Sequence, residues 1–293
     1  MKVLKWAGYG LAGLAGACAL AVGGAYAVSE AMIRGSVEKP TVTLVASSDP
    51  GAVERGRRVA KLNGCHDCHG DRLEGRLFHD EMPIIRAWGP NLSLALAGQS
   101  DADIDRAVRR GVGADGRKLW IMPSSAFMHL TDQETADLIA YLRTFKPTGE
   151  KQPRLQVGHI GRLGVLLGQF KSEPELIKAN GLRLQLEDLG PRYAQGRAIA
   201  RACIECHGQR LEGLAFLKSP DLTMAASYDR EDFERLLHTG VAAGDRKLGL
   251  MTAVGQSRFP ALNSQEIGAL HDYLKARATR QMAQAETEGV AKR

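Results

Sequence analysis

Cys65-His66-Asp67-Cys68-His69 and Cys203-Ile204-Glu205-Cys206-His207 repeat one pattern, C-x-x-C-H. Two thiols three positions apart share one face of a helical turn, so both can reach the vinyl groups of a single porphyrin. The histidine that follows can swing its imidazole over the ring to an iron. The pattern is that of covalent c-type haem attachment. Two other uses of paired cysteines fit less well. A thioredoxin-like C-x-x-C needs strand–helix alternation around it, which the sequence lacks. A zinc ribbon sets its two C-x-x-C units about 15–20 residues apart, whereas 134 residues separate Cys68 from Cys203.

The repeat extends beyond the cysteines. Cys68-His69-Gly70-Asp71-Arg72-Leu73-Glu74-Gly75 matches Cys206-His207-Gly208-Gln209-Arg210-Leu211-Glu212-Gly213. Gly89-Pro90-Asn91-Leu92 corresponds to Ser219-Pro220-Asp221-Leu222. The stretch from Gly111 to Leu119 matches that from Gly240 to Leu248, and a methionine follows each three positions later, Met122 and Met251. Each unit closes with a helical pattern, Leu130–Phe145 and Leu262–Arg277. Thr131 and Glu134 form a capping box at the start of the first, and Asn263 caps the second. Further helices fit Ala52–Leu62, Asp101–Arg110, Arg192–Ala202 and Arg230–Thr239. No segment alternates over a strand's length, so the expected fold is all-α. The expected divisions are 50–147 and 189–279 for the two units, 148–188 for a long linker and 280–293 for a frayed polar tail. Within the linker, the apolar stretch His159–Gly168 predicts a short helix that packs against the units, with a membrane-surface role as the alternative.

With 293 residues, 44% hydrophobic and 25% charged, the chain has the composition of a globular protein of about two domains. Five cysteines are too few for a disulfide scaffold of this length. Lys2 and Lys5 precede a run from Trp6 to Ser29 without a charge. That run is long enough to span a bilayer, although Ala25-Tyr26-Ala27 also matches a signal-peptidase site. Residues 1–29 are therefore read as a signal-anchor spanning through 6–28, or as a signal peptide cleaved after Ala27. Cys18 is a small residue of that run, since Ala15-Gly16-Ala17 is a poor lipobox. Both readings export the remainder, as covalent haem attachment requires.

The order of these features resembles class I c-type cytochromes: a glycine-bearing first helix, C-x-x-C-H, a G-P-N-L turn, a methionine before the last helix and an aromatic within it. The resemblance covers about 50–147 and 189–279, so the chain is similar to a dihaem cytochrome of two tandem domains behind an N-terminal apolar helix. It implies two covalently attached haems c. Cys65 and Cys68 would bond the first, His69 and Met122 would be its axial ligands, and Pro90 would accept a hydrogen bond from His69 Nδ1. Cys203, Cys206, His207, Met251 and Pro220 would do the same for the second. Gly56 would let the first helix approach Tyr141, and Gly196 would do so for Tyr273. The second unit departs from the pattern. It has two fewer residues between Gly196 and Cys203, Met251-Thr252 in place of Met122-Pro123, and three more residues before its last helix.

Paired His/Met ligation raises the reduction potential and closes both axial positions, which leaves electron transfer as the job. Met128 lacks a counterpart in the repeat and is a poorer ligand candidate than Met122. Met82 and Met224 read as core or haem-edge residues. His79, His129, His159, His238 and His271 read as surface or structural, with His238 the one possible competing ligand. Trp88 and Trp120 read as haem-pocket walls. Arg117, Lys118, Arg246 and Lys247 read as solvated loop charges rather than propionate partners. The expected function is a non-enzymatic carrier on the periplasmic side of the bacterial inner membrane, passing single electrons between membrane or periplasmic redox proteins. Two alternatives stand: the cytochrome subunit of a membrane-bound dehydrogenase, or a peroxidase-type enzyme with an open site at the second haem. The formal charge of +6 is largely offset by four propionates. No basic tract interleaved with aromatics points to nucleic acid.

Overall fold

A computed structural model describes residues 2–291, with side chains from 5 to 287. The uncharged N-terminal run has no proline or charge to interrupt it and lies within one long helix, α1 (Lys2–Arg34). Its stretch Lys5–Arg34 is long and apolar enough to cross a membrane, with a mean hydropathy of 1.8 over its most apolar window. An extended strap then runs along the first half of the molecule. Val37 N donates to Gly116 O at 2.9 Å, Ala46 N to Asp101 Oδ2 at 2.8 Å and Ser47 N to Ala136 O at 3.0 Å.

The first half contains α2 (Ala52–Leu62), α3 (Cys65–His69), the hairpin β1 (Arg76–Glu81) and β2 (Ile85–Gly89), α4 (Leu92–Ala95), α5 (Asp101–Arg110), α6 (Ser124–Phe127) and α7 (Asp132–Leu142). Reciprocal capping boxes open α5 at Ser100/Asp103 and α7 at Thr131/Glu134, satisfying amides that a helix start leaves free. α2 crosses α7 at Gly56. A Cβ there would lie 1.9 Å from Asp137 O and 2.8 Å from Tyr141 Cβ, so only glycine permits the approach.

The linker is structured. β3 (Gln156–Val157) adds to β2 to give an antiparallel sheet ordered β1-β2-β3. α8 (His159–Leu166) follows, close to the predicted helix, and then α9 (Glu173–Asn180), which opens on a Ser172/Glu175 capping box.

The second half repeats the plan with α10 (Ala194–Ala200), α11 (Ile204–His207), α12 (Arg230–Thr239), the two-residue pair β4 (Val241–Ala242) and β5 (Arg246–Lys247), α13 (Leu250–Ser257) and α14 (Ser264–Ala291). α10 crosses α14 at Gly196, where a Cβ would lie 2.1 Å from Ala269 O and 2.7 Å from Tyr273 Cβ. Asn263 caps α14 by accepting from Glu266 N at 2.9 Å. The buried apolar core is continuous across both halves, from Leu138, Ile139 and Tyr141 to Leu211, Ile267 and Tyr273.

Three expectations need correction. The fold is mainly helical, consistent with the all-α expectation, but it carries a small sheet where no strand was expected. β1 escapes an alternation test because nearly all of it is exposed, and β2 because it has only five residues. The polar tail is helical through Ala291, continuing α14; 292 and 293 lie outside the described residues. Trp120 does not stand among the thiols. Its indole N–H donates to Ile33 O at 3.1 Å and its ring packs on Phe170, in a second small core with Val157 and Val165.

Candidate haem-attachment site

The shared sequence C-H-G-x-R-L-E-G produces the same backbone twice. Gly70 and Gly208 take φ of 82° and 85°, and Leu73 and Leu211, both fully buried, take φ of 59° and 64°. A leucine in the left-handed region is strained, and each is held by the turn around it. Gly75 N donates to His69 O at 2.7 Å and Gly213 N to His207 O at 2.8 Å. Arg72 N and Arg210 N each donate to the following glutamate at 2.8 Å. These turns fold the chain back so that a proline carbonyl meets each histidine.

His69 Nδ1 lies 2.9 Å from Pro90 O, and His207 Nδ1 lies 2.9 Å from Pro220 O. Both rings are buried. Burial holds each imidazole below the ordinary histidine pKa, against the opposing pull of the proline carbonyl. A neutral imidazole donating from Nδ1 keeps Nε2 as a lone-pair donor, and among the described residues no group hydrogen-bonds that atom. Asn91 and Asp221, which follow the two prolines, cap the next turn by accepting from Leu94 N at 3.2 Å and Thr223 N at 2.7 Å. The repeats also differ where the chain passes the second cysteine. Gly89 lies so close to Cys68 O that a Cβ would sit 2.0 Å from it, whereas Ser219 donates its hydroxyl to Cys206 O.

The four cysteines are free thiols at the mouths of these turns. Burial pushes Cys65 and Cys203 up to about 12, and Cys68 and Cys206 up to about 11. A disulfide oxidoreductase needs the opposite shift in its attacking thiol, so the redox reading of C-x-x-C loses ground. Two thiols beside a neutral imidazole with a free Nε2 are the donor set that a covalently attached haem c requires.

Met122 and Met251 are half-buried and pack against the same apolar core as Cys65 and Cys203. They sit in different local structures. Met122 lies in an irregular stretch just before α6, while Met251 lies in the first turn of α13. Thr252 Oγ1 accepts from Leu248 N and donates to Gly240 O, both at 2.7 Å, which pins the α13 start to the end of α12. Met128 is buried immediately after α6. Three other histidines are engaged elsewhere: His238 Nε2 with Leu262 O at 3.1 Å, His271 Nε2 with Tyr228 O at 3.0 Å, and His129 Nε2 with Gln209 Oε1 at 3.1 Å. Arg117 pairs with Asp115, and Lys118 with Glu175.

One site residue escapes the sequence. Arg258 is buried at the end of α13 and spans both C-x-x-C-H turns, with Nε 2.7 Å from Asp67 Oδ2 and Nη1 2.5 Å from Glu205 Oε2. Burial disfavours its charge, but Glu205 and Asp67 outweigh that and hold its pKa above the ordinary arginine value. A readable signal existed, since an acid occupies the second variable place of both motifs. Other contacts joining the halves are Arg201 to Glu134 at 2.7 Å, Arg58 to Glu266 at 2.5 Å and Gln209 Nε2 to Ser125 O at 2.9 Å.

Residues 53–146 match the cytochrome c family. The chain is 24% identical over 270 residues to the fructose dehydrogenase cytochrome subunit of Gluconobacter japonicus, covering 81% of this chain and 55% of that protein. It is 26% identical over 196 residues to a "Diheme cytochrome c-type" protein of Cereibacter sphaeroides, covering 58% of this chain and 64% of that protein. It is 30% identical over 118 residues to the cytochrome c subunit of an alcohol dehydrogenase (quinone) of Gluconacetobacter polyoxogenes, covering 36% of this chain and 25% of that protein. The chain thus spans about half to two-thirds of the length of the first two.

Proposed function

We propose that the chain, whose residues 53–146 match the cytochrome c family, is a c-type cytochrome that carries two covalently attached haems c and passes electrons as the cytochrome subunit of a membrane dehydrogenase. The observation that carries the number two is the matched pair of histidine–proline contacts, 2.9 Å in both halves, within turns of identical backbone. In this reading each half is a tandem cytochrome c domain, over 50–147 and 189–279.

When bound, haem supplies one-electron chemistry by alternating between ferrous and ferric iron. Cys65 and Cys68, and Cys203 and Cys206, hold it in either oxidation state through thioether bonds. His69 and His207 would offer Nε2 to the iron, with the Pro90 and Pro220 carbonyls fixing that tautomer and raising ligand basicity. Met122 and Met251 would be the thioether donors that complete the coordination of each iron. A thioether is soft and favours the ferrous state, which raises the potential and excludes oxygen and peroxide from the metal. The dehydrogenase assignment draws on the relatives whose names describe cytochrome subunits of fructose and alcohol dehydrogenases. α1 would hold the protein on the periplasmic face of the inner membrane.

The test is to purify the protein from a host that attaches haem c, under detergent, with its native neighbours. Intact mass should increase by two haems, and by one in a Cys203→Ala/Cys206→Ala variant. A flavin- or quinone-cofactor dehydrogenase subunit should co-purify, and its substrate should reduce the haems. A single haem in the wild type contradicts the dihaem assignment. Two haems with no associated dehydrogenase contradict the subunit assignment and favour a free carrier.

A further inference from the structure

α8 has an apolar face that none of the described residues covers. It buries Gly161 and Val165, while Ile160, Leu163 and Leu167, spaced along one stripe, are 51%, 55% and 62% exposed. The tip of the β1–β2 hairpin rests on its start. Gly158 N donates to Ile84 O at 2.9 Å and Ile160 N to Pro83 O at 3.3 Å. Met82 and Ile84 at that tip are exposed as well.

This surface is fastened to the last turns of α1. Arg162 of α8 donates to Ser29 Oγ at 3.0 Å and pairs with Glu30 at 2.6 Å, and its guanidinium lies 5.0 Å from the Tyr26 ring centroid. Ile33 packs in one small core with Val165 and Val157. The uncharged run of α1 ends at Ser29 and Glu30 is the first charge after it, so the edge of a spanned hydrocarbon layer falls at that level. Tyrosine and arginine at such an edge are the usual interfacial anchors.

We propose that α8 and the β1–β2 tip form an interfacial seat, with Ile160, Leu163, Leu167, Met82 and Ile84 lying in the headgroup–acyl boundary of the membrane that α1 spans. This rests on α1 being retained as an anchor. The occupant is lipid because the stripe is tied within one helical turn of the span's end, at a height where acyl chains are already present. A short helix with one apolar face and an arginine at the polar edge is the form that lies in a membrane surface. The seat would set the tilt of the first C-x-x-C-H half against the bilayer, because the strap and β3 hydrogen-bond it to that half.

The test is cysteine labelling of the full haem-loaded chain in vesicles of zwitterionic and anionic phospholipid, in a Cys18→Ala background. Leu163→Cys and Leu167→Cys are compared with Leu14→Cys inside α1 and Val53→Cys on α2, using a charged, water-soluble maleimide. The seat predicts labelling at positions 163 and 167 at least tenfold slower than at 53 and approaching that at 14. Fast labelling at 163 and 167 with protection at 14 overturns the seat and leaves the anchor standing. Fast labelling at 14 overturns the anchor reading and the seat with it. Protection at 163 that occurs only in native membranes, and is lost in pure lipid vesicles, assigns the face to a protein partner and overturns the lipid assignment.

Discussion

Arg258 joins Asp67 at 2.7 Å and, through the other side of the same guanidinium, reaches Glu205 at 2.5 Å. The two acids occupy equivalent places in the two C-x-x-C-H turns. One buried cation therefore holds the two attachment turns against each other, across 191 residues of chain on the Asp67 side. Without it two carboxylates would face each other in a partly desolvated gap.

Replacing Arg258 with Gln should therefore destabilise the protein by about 3 kcal/mol, the scale for stranding buried charge. Urea denaturation of the haem-loaded protein measures it. Adding Asp67→Asn and Glu205→Gln should recover part of the loss. In the proposed dihaem protein, removing the cation should also lower both reduction potentials, since uncompensated negative charge disfavours the reducing electron. Redox titration reads that separately.

Gly56→Ala and Gly196→Ala should each cost at least about 1–3 kcal/mol, the overpacking range, because the added Cβ meets backbone rather than a flexible side-chain end. Thermal denaturation of the two variants should show comparable losses, as the two helix crossings are equivalent.

Glu173 gives a pH dependence of defined sign. Burial pushes its carboxyl up to about 7 from an ordinary 4.5, against a hydrogen bond accepted from Ser125 N at 2.6 Å. A raised folded pKa means that the contribution is fully present below pH 4.5 and is lost as pH rises through about 7. Glu173→Gln keeps the shape without the titration. Its melting temperature should match the wild type at pH 5 and exceed it at pH 8.

Glu134 gives the opposite sign. Burial raises its pKa, but Arg201, Thr131 and their hydrogen bonds outweigh that and hold it below the ordinary carboxylate value. Its contribution is present above pH 4.5 and is lost as pH falls through the lowered folded value. The wild type should lose more stability than Arg201→Met on acidification from pH 6 to pH 3, as followed by melting temperature.

The sequence made the attachment turns legible because they depend on residue identity at fixed spacing. The terminal helices were legible because capping boxes and apolar periodicity mark them. The β1–β2 hairpin was not, because β1 is exposed along nearly its whole length and carries no alternation. α9 went unread although Ser172 and Glu175 spell its capping box, because it is only eight residues long and carries little apolar periodicity; Pro174 occupies its first turn. The extension of α14 was hidden by its polarity, yet Gln, Ala and Glu are sound helix formers. The paired acids Asp67 and Glu205 were readable in the sequence, but not the identity of their partner, because Arg258 lies on a segment distant from both. Trp120 was misplaced for a related reason: an aromatic near a candidate ligand looks like a pocket wall, and only the packing of α1 and α8 shows what it joins.

The most direct test of the central claim is the visible and near-infrared spectrum of the purified protein, oxidised and reduced, before and after adding carbon monoxide. The account predicts two low-spin haems per chain, a thioether-to-iron charge-transfer band in the oxidised form and no response to carbon monoxide. In Met122→Ala or Met251→Ala, half of the haem should respond. A high-spin signal or a carbon monoxide shift in about half of the wild-type haem would contradict closed His/Met ligation at both sites, with Met251 the first assignment to fall.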